Sequence, residues 1–147
     1  MQYGQDILQR LTQLSLDARI GMMSGTPPWL LILFQRLHAI TGGAAPWPDL
    51  ELLVHGGVAW DLYRDRIRPF LEQTGAVTRE VYPAREGFIA IADRRDAEGL
   101  RLILDNGLFF EFAPLSVLGS DRPTRTWVCA LQTHADLRII LASLSGP

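Results

Sequence analysis

The chain has 147 residues, 48% of them hydrophobic, and 14 basic side chains against 16 acidic ones, a size and composition that suit one domain with its own core. All 14 basic residues are arginine, which excludes the P-loop lysine, the Schiff-base lysine of aldehyde cofactors and the phosphate-pairing lysine of kinases. The lone cysteine, Cys129, excludes an intrachain disulfide and a cysteine-based zinc site, and six Arg against seven acids over residues 1–74, then eight against nine over 75–147, are totals that suggest no basic face for nucleic acid or an anionic membrane.

Taken in order, Ile7, Leu11, Leu14 and Ala18 recur at the spacing of one helix face, so residues 5–22 are expected to form an amphipathic helix closed by Gly21 and Ser24-Gly25. Thr26-Pro27 opens a second helix over 27–41, which Gly42-Gly43 ends. Its apolar residues Trp29, Leu30, Leu31, Ile32, Leu33, Phe34, Leu37 and Ile40 point in every direction, which places it in the core or between the core and a partner. A connector through Pro46-Trp47-Pro48 follows. Leu50–Val54 fits either a short strand or a first helical turn. From Val58 a helical period returns through Leu62, Ile67, Phe70 and Leu71, with a kink or restart expected at Pro69.

After Gly75 the period changes to that of strands: residues 77–82 and 88–92 are joined by a turn at 83–87. Next come Leu100–Leu104 and Leu108–Phe112, hinged on Asp105-Asn106-Gly107, a strong hairpin signal. A three-residue loop with Gly107 left-handed sets Leu104 against Leu108, Leu102 against Phe110 and Leu100 against Phe112. The other face then holds Arg101 opposite Glu111 and Ile103 opposite Phe109. Residues 126–132 alternate as a fifth strand, burying Trp127, Cys129 and Leu131 together. Thr133 and Asp136 have capping-box spacing, and Leu137, Ile140, Leu141 and Leu144 then fall on one face of a C-terminal helix.

The expected fold is therefore α+β: N-terminal helices over 1–74, then a four- to five-stranded antiparallel meander and a terminal helix over 75–147, in one domain. The N-terminus has no signal-peptide pattern and the longest apolar run, Trp29–Phe34, is too short for a bilayer, so a cytoplasmic location is expected.

Among candidate sites, Leu52–Trp60 is the most suggestive. If Leu50–Val54 is a strand, Gly56-Gly57 forms a strand-to-helix turn whose backbone amides face an anion at the helix N-terminus. The segment resembles the glycine pair of nucleotidyltransferase-fold proteins, and that resemblance implies a nucleotide cradled by the turn, with His55, Gly56, Gly57, Asp61 and Arg64 as its residues. Those enzymes also carry an acidic pair one residue apart, whereas Asp61 and Asp65 stand at helical spacing and no Asp-x-Asp occurs. Asp61, Arg64, Asp65 and Arg68 otherwise fit a solvated, ion-paired helix face. His38, His55 and His134 lack metal-ligand spacing, and His38 fits a partly buried, hydrogen-bonded position. Asp93-Arg94-Arg95-Asp96 fits a solvated loop. Trp47 either plugs the core or is displayed to a partner.

No family resemblance extends across the chain. The leading expectation is a non-catalytic protein-binding module, such as an adaptor, a secretion chaperone or an immunity-type inhibitor, with Trp29, Trp47, Ile103 and Phe109 as its contacts. Its partner is another protein or a second copy in a homo-dimer, with no cofactor, no metal, no nucleic acid and no membrane. The alternative is a nucleotide-binding protein built on the Gly56-Gly57 turn. A small-molecule binder with an apolar pocket between the second helix and the sheet is the third reading.

Overall fold

Two successive βαβ units make up residues 22–84. The computed structural model describes residues 2–16, 18–94, 99–117, 119–120, 123–131 and 136–143. In chain order its elements are α1 (Gln2–Leu16), β1 (Met22–Gly25), α2 (Pro27–Thr41), β2 (Leu52–Gly56), α3 (Asp61–Glu72), β3 (Val77–Ala84), β4 (Gly87–Ile91), β5 (Arg101–Leu102), β6 (Leu108–Pro114), β7 (Thr126–Trp127) and β8 (Leu137–Ser143), with single 3-10 turns at Leu115–Val117 and Val128–Ala130. The strands make a mixed five-stranded sheet of order β1-β2-β3-β4-β5 and a three-stranded sheet of order β7-β6-β8. The chain divides into two compact units: Met1–Pro83 with Ala90–Arg101, and Ala84–Ile89 with Leu102–Pro147.

In the first unit β1, β2 and β3 are parallel, with Ser24 opposite Val54 and Val54 opposite Arg79. Parallel neighbours need crossovers, and α2 and α3 supply them. Because the strand order is sequential, crossovers of one hand lay both helices on one face, and α2 packs on α3 there. The core between these helices and the sheet contains Leu30, Leu31, Phe34 and Leu37 of α2, Leu53 of β2, and Ile67 and Leu71 of α3, closed by Trp47, Leu50 and Trp60. Pro69 is accommodated inside α3. The α+β class holds, whereas the parallel half departs from the expected antiparallel meander. The strand β1 was masked in the sequence by Gly21 and Ser24-Gly25, which read as a helix stop. Four residues are too few for a visible alternation, and the preceding helix ends at Leu16 rather than near residue 22.

The second unit replaces the expected hairpin and terminal helix with a different pairing. β6 is central, antiparallel to both neighbours, with Phe110 opposite Leu141, Phe112 opposite Ile139 and Glu111 opposite Trp127. Leu108, Phe110 and Phe112 are buried on one face of β6. Residues 137–143 form a strand because their apolar positions also alternate by two, and Ile139-Ile140 are β-branched, which favours the pleat over a helix. Thr133 of the expected capping box lies outside the described residues.

The Asp-Asn-Gly turn forms, with Gly107 at φ 77°, but β5 neighbours β4, and β6 belongs to the other sheet, so neither Leu104 with Leu108 nor Ile103 with Phe109 is a cross-strand pair. Asn106 directs this outcome: its side-chain amide donates to the Phe88 carbonyl oxygen, and its Oδ1 accepts from the Leu108 N–H at 3.2 Å. The expected Arg101 to Glu111 pair is replaced by Arg101 with Asp93 at 2.9 Å and Glu111 with Arg125 at 2.8 Å.

Candidate functional site at the strand to helix turn

β2 runs directly into Gly56-Gly57, and α3 starts four residues later at Asp61, so the strand, glycine pair and helix form as the sequence condition required. Each glycine has its own physical reason. A Cβ on Gly56 would lie 2.2 Å from the Val81 carbonyl oxygen, so β2 and β3 meet there closer than any side chain permits. Gly57 has φ 85°, the left-handed region that turns the chain off the sheet, and its nearest neighbour would be the Thr26 methyl at 3.5 Å. The carboxyl ends of β1 and β2 thus lie side by side, Gly25-Thr26 beside Gly56-Gly57. In open α/β sheets this edge is where ligands are held.

The two helices that start at this edge differ in what they offer. The first turn of α2 contains Pro27 and Pro28, which lack N–H groups, so it presents few donors to an anion. At α3, Trp60 is the residue before the helix, and its carbonyl accepts from the Tyr63 N–H at 2.8 Å and the Arg64 N–H at 3.0 Å. The first N–H groups of a helix have no intrahelical acceptor, which favours an anion at such an end. Asp61 stands in the first turn, and its carboxylate is held by Arg64 at 2.7 Å.

His55, Gly56 and Gly57 are brought together at the turn, although His55 is fully buried beneath it, its ring stacked on Trp60 with centroids 3.8 Å apart. Asp61 and Arg64 are paired on the exposed side of α3, where Arg68 also meets Asp65 at 3.4 Å and Glu72 at 3.5 Å. That is the ion-paired helix face expected from the spacing. Trp60 was missed as a site residue; its offset of five from His55 across a glycine pair was the available signal.

Two grooves of similar size flank this region. One, of about 490 Å³, is apolar and lies between α1, β1 and α2, with Leu11, Met23, Trp29, Leu33 and Trp47 among its walls. The other, of about 480 Å³, lies between α3 and the opening residues of β3.

The expected partner contacts are dispersed. Trp29 is exposed on α2, together with Ile32 and Ile40, so the second helix has one buried face rather than apolar burial all round. Trp47 is not displayed: it is buried, edge-on to Phe34 at 5.8 Å, and its Nε1–H donates to the Ser15 carbonyl oxygen at 2.7 Å. Ile103 and Phe109 are half-buried in the second unit, where Phe109 meets the exposed Trp127 edge-on at 5.2 Å.

His38 is exposed rather than partly buried, its ring edge against Phe70. Cys129 is exposed as well, because the strand ends at Trp127 and the 3-10 turn after it breaks the alternation that would have buried the thiol. Arg95 and Asp96 lie outside the described residues. Among the described residues no three His, Cys, Asp or Glu side chains gather where a metal ion could be held, and no helix is long and apolar enough to cross a membrane.

No family model and no curated relative matches the chain. Among solved structures it is similar to a malonyl-CoA ligase in a ternary product complex with methylmalonyl-CoA and AMP, at 19% identity and a TM-score of 0.47 over 82% of this chain and 27% of the ligase. It is also similar to the adenylation domain of a keto acid-selecting NRPS module bound to a keto acyl adenylate, at 13% identity and a TM-score of 0.45 over 92% of this chain and 25% of that one. The chain thus spans about a quarter of the length of each of these proteins.

Proposed function

We propose that the first unit is a nucleotide-binding α/β unit that takes the phosphate portion of its ligand on the Gly56-Gly57 turn. The observation that carries this reading is the turn's position. It lies at the carboxyl edge of three parallel strands, with backbone amides ahead of α3 and no side chain on either glycine to block an approaching phosphate. His55 and Trp60 support the turn from below by stacking, and Arg64 stands one helical turn on, where it can exchange Asp61 for a phosphate oxygen. A surface pair of this kind contributes only about 0.3–0.5 kcal/mol, so the exchange costs little.

The test is thermal denaturation with ATP and magnesium against magnesium alone. At a ligand concentration one hundred times Kd the stabilisation is about 2.7 kcal/mol, a shift of several degrees. Gly57→Val, which fills the face of the turn, abolishes that shift while leaving a cooperative transition. Absence of any shift at millimolar nucleotide removes the reading.

A protein-binding module is the second reading, and the exposed row Trp29, Ile32 and Ile40 on α2 favours it. Its test is the mass in solution by light scattering, alone and with candidate partners. A monomer whose Trp29→Ser variant behaves identically in every binding assay counts against it.

A further inference from the structure

We infer that the groove between α3 and the start of β3 is a second ligand site, one that takes a small organic phosphate with an apolar body. It adjoins the glycine turn and shares Arg64 and Trp60 with it, but its lining includes neither Gly56 nor Gly57. Its walls alternate between two chemistries. Leu71, Ala76 and Val77 supply apolar surface, while Arg64, Arg68 and Arg79 bring three guanidinium groups to one cavity of about 480 Å³, a volume within the range of small-molecule sites. Glu72 is the only carboxylate in the lining itself, and Asp61 and Asp65 reach Arg64 and Arg68 from outside it.

The three arginines are not equally engaged. Arg64 and Arg68 are held by Asp61, Asp65 and Glu72 in exposed helix pairs at 2.7 to 3.5 Å, interactions weak enough for a phosphate to displace. Arg79 donates to the neutral Thr78 carbonyl oxygen at 2.7 Å and has no carboxylate within ion-pair distance among the described residues. Its remaining N–H groups are available to a planar or tetrahedral oxyanion.

Trp60 also lines the groove, although it is buried. The combination of an aromatic wall, apolar floor and convergent guanidinium groups selects a phosphate ester over inorganic phosphate, whose binding would leave the floor wet, and over a neutral aromatic alcohol, which would leave Arg79 unmatched.

Phenyl phosphate, inorganic phosphate and phenol, each titrated calorimetrically into the intact chain at constant ionic strength, provide the test. Phenyl phosphate is expected to bind roughly tenfold or more tightly than either of the other two. Arg79→Gln and, independently, Arg68→Gln each weaken it by roughly tenfold, whereas Arg66→Gln, an exposed α3 arginine outside the lining, leaves the affinity within about twofold. Gly57→Val leaves phenyl phosphate binding intact, which separates this site from the nucleotide reading. Equal losses in the Arg66, Arg68 and Arg79 variants, or affinity for phenyl phosphate no better than for phenol, overturn the inference.

Discussion

His55 and Trp60 stack with ring centroids 3.8 Å apart and planes 16° from parallel, fastening the end of β2 to the start of α3 across the glycine pair. Both side chains are buried, so the stack is part of the core as well as the support of the turn. Trp60→Ala removes the ring and opens a cavity between α3 and the sheet, and the expected destabilisation is about 3–5 kcal/mol by urea denaturation. Trp60→Phe keeps an aromatic face and deletes an indole N–H that has no acceptor among the described residues, so it costs much less. Near-equal losses for the two variants would show that the ring stack is not what holds the turn.

Gly56 and Gly57 separate steric from conformational need. Gly56→Ala places a methyl on the Val81 carbonyl oxygen, which can be relieved only by moving β3 away from β2 and breaking their parallel pairing. Gly57→Ala meets only a methyl at 3.5 Å and suffers chiefly the left-handed backbone, a cost of about 1–2 kcal/mol. The expected order of stability is wild type, then Gly57→Ala, then Gly56→Ala. Equilibrium denaturation decides it, and the reverse order contradicts the close approach of the two strands.

How far the sequence reaches can be read from individual elements. The second helix was legible to the residue, 27–41, because Pro27 and Gly42 mark its two ends chemically. α3 was legible from its period and β2 only as one of two alternatives for Leu50–Val54, and their joint presence makes the glycine pair a strand-to-helix turn. The parallel pairing was not legible, since nothing local in Met22–Gly25 distinguishes a strand from a helix end, and pairing is a long-range property of β1 with β2. The same limit explains β8. Leu137 to Leu141 satisfies both a helical and an alternating pattern, and only its pairing with β6 decides between them. Of the candidate site, His55, Gly56 and Gly57 were visible from residue types, whereas the arginine groove depends on how α3 packs beside the start of β3, which spacing alone does not show.

Trp47 provides a test of a connector acting as core. Its ring fills space beside Phe34, and its N–H satisfies the Ser15 carbonyl oxygen at the end of α1. Trp47→Phe is expected to cost about 1–2 kcal/mol, mostly through that carbonyl, and Trp47→Ala about 3–5 kcal/mol. Amide exchange near Ser15 should accelerate in both variants. Unchanged exchange there would separate α1 from the connector.

Cys129 carries the last prediction. An alternating strand through residue 132 would bury the thiol with Trp127 and Leu131, but the 3-10 turn at Val128–Ala130 leaves it exposed. An exposed thiol reacts as its thiolate fraction allows, whereas a core thiol waits for unfolding. Ellman's reagent at pH 8 should therefore titrate one equivalent in the native protein within minutes, at a rate that addition of urea below the unfolding transition hardly changes. The modified protein should retain its denaturation midpoint, because no packed side chain is displaced. A reaction that proceeds only in denaturant would restore the buried strand over 126–132 and with it a longer β7 against β6.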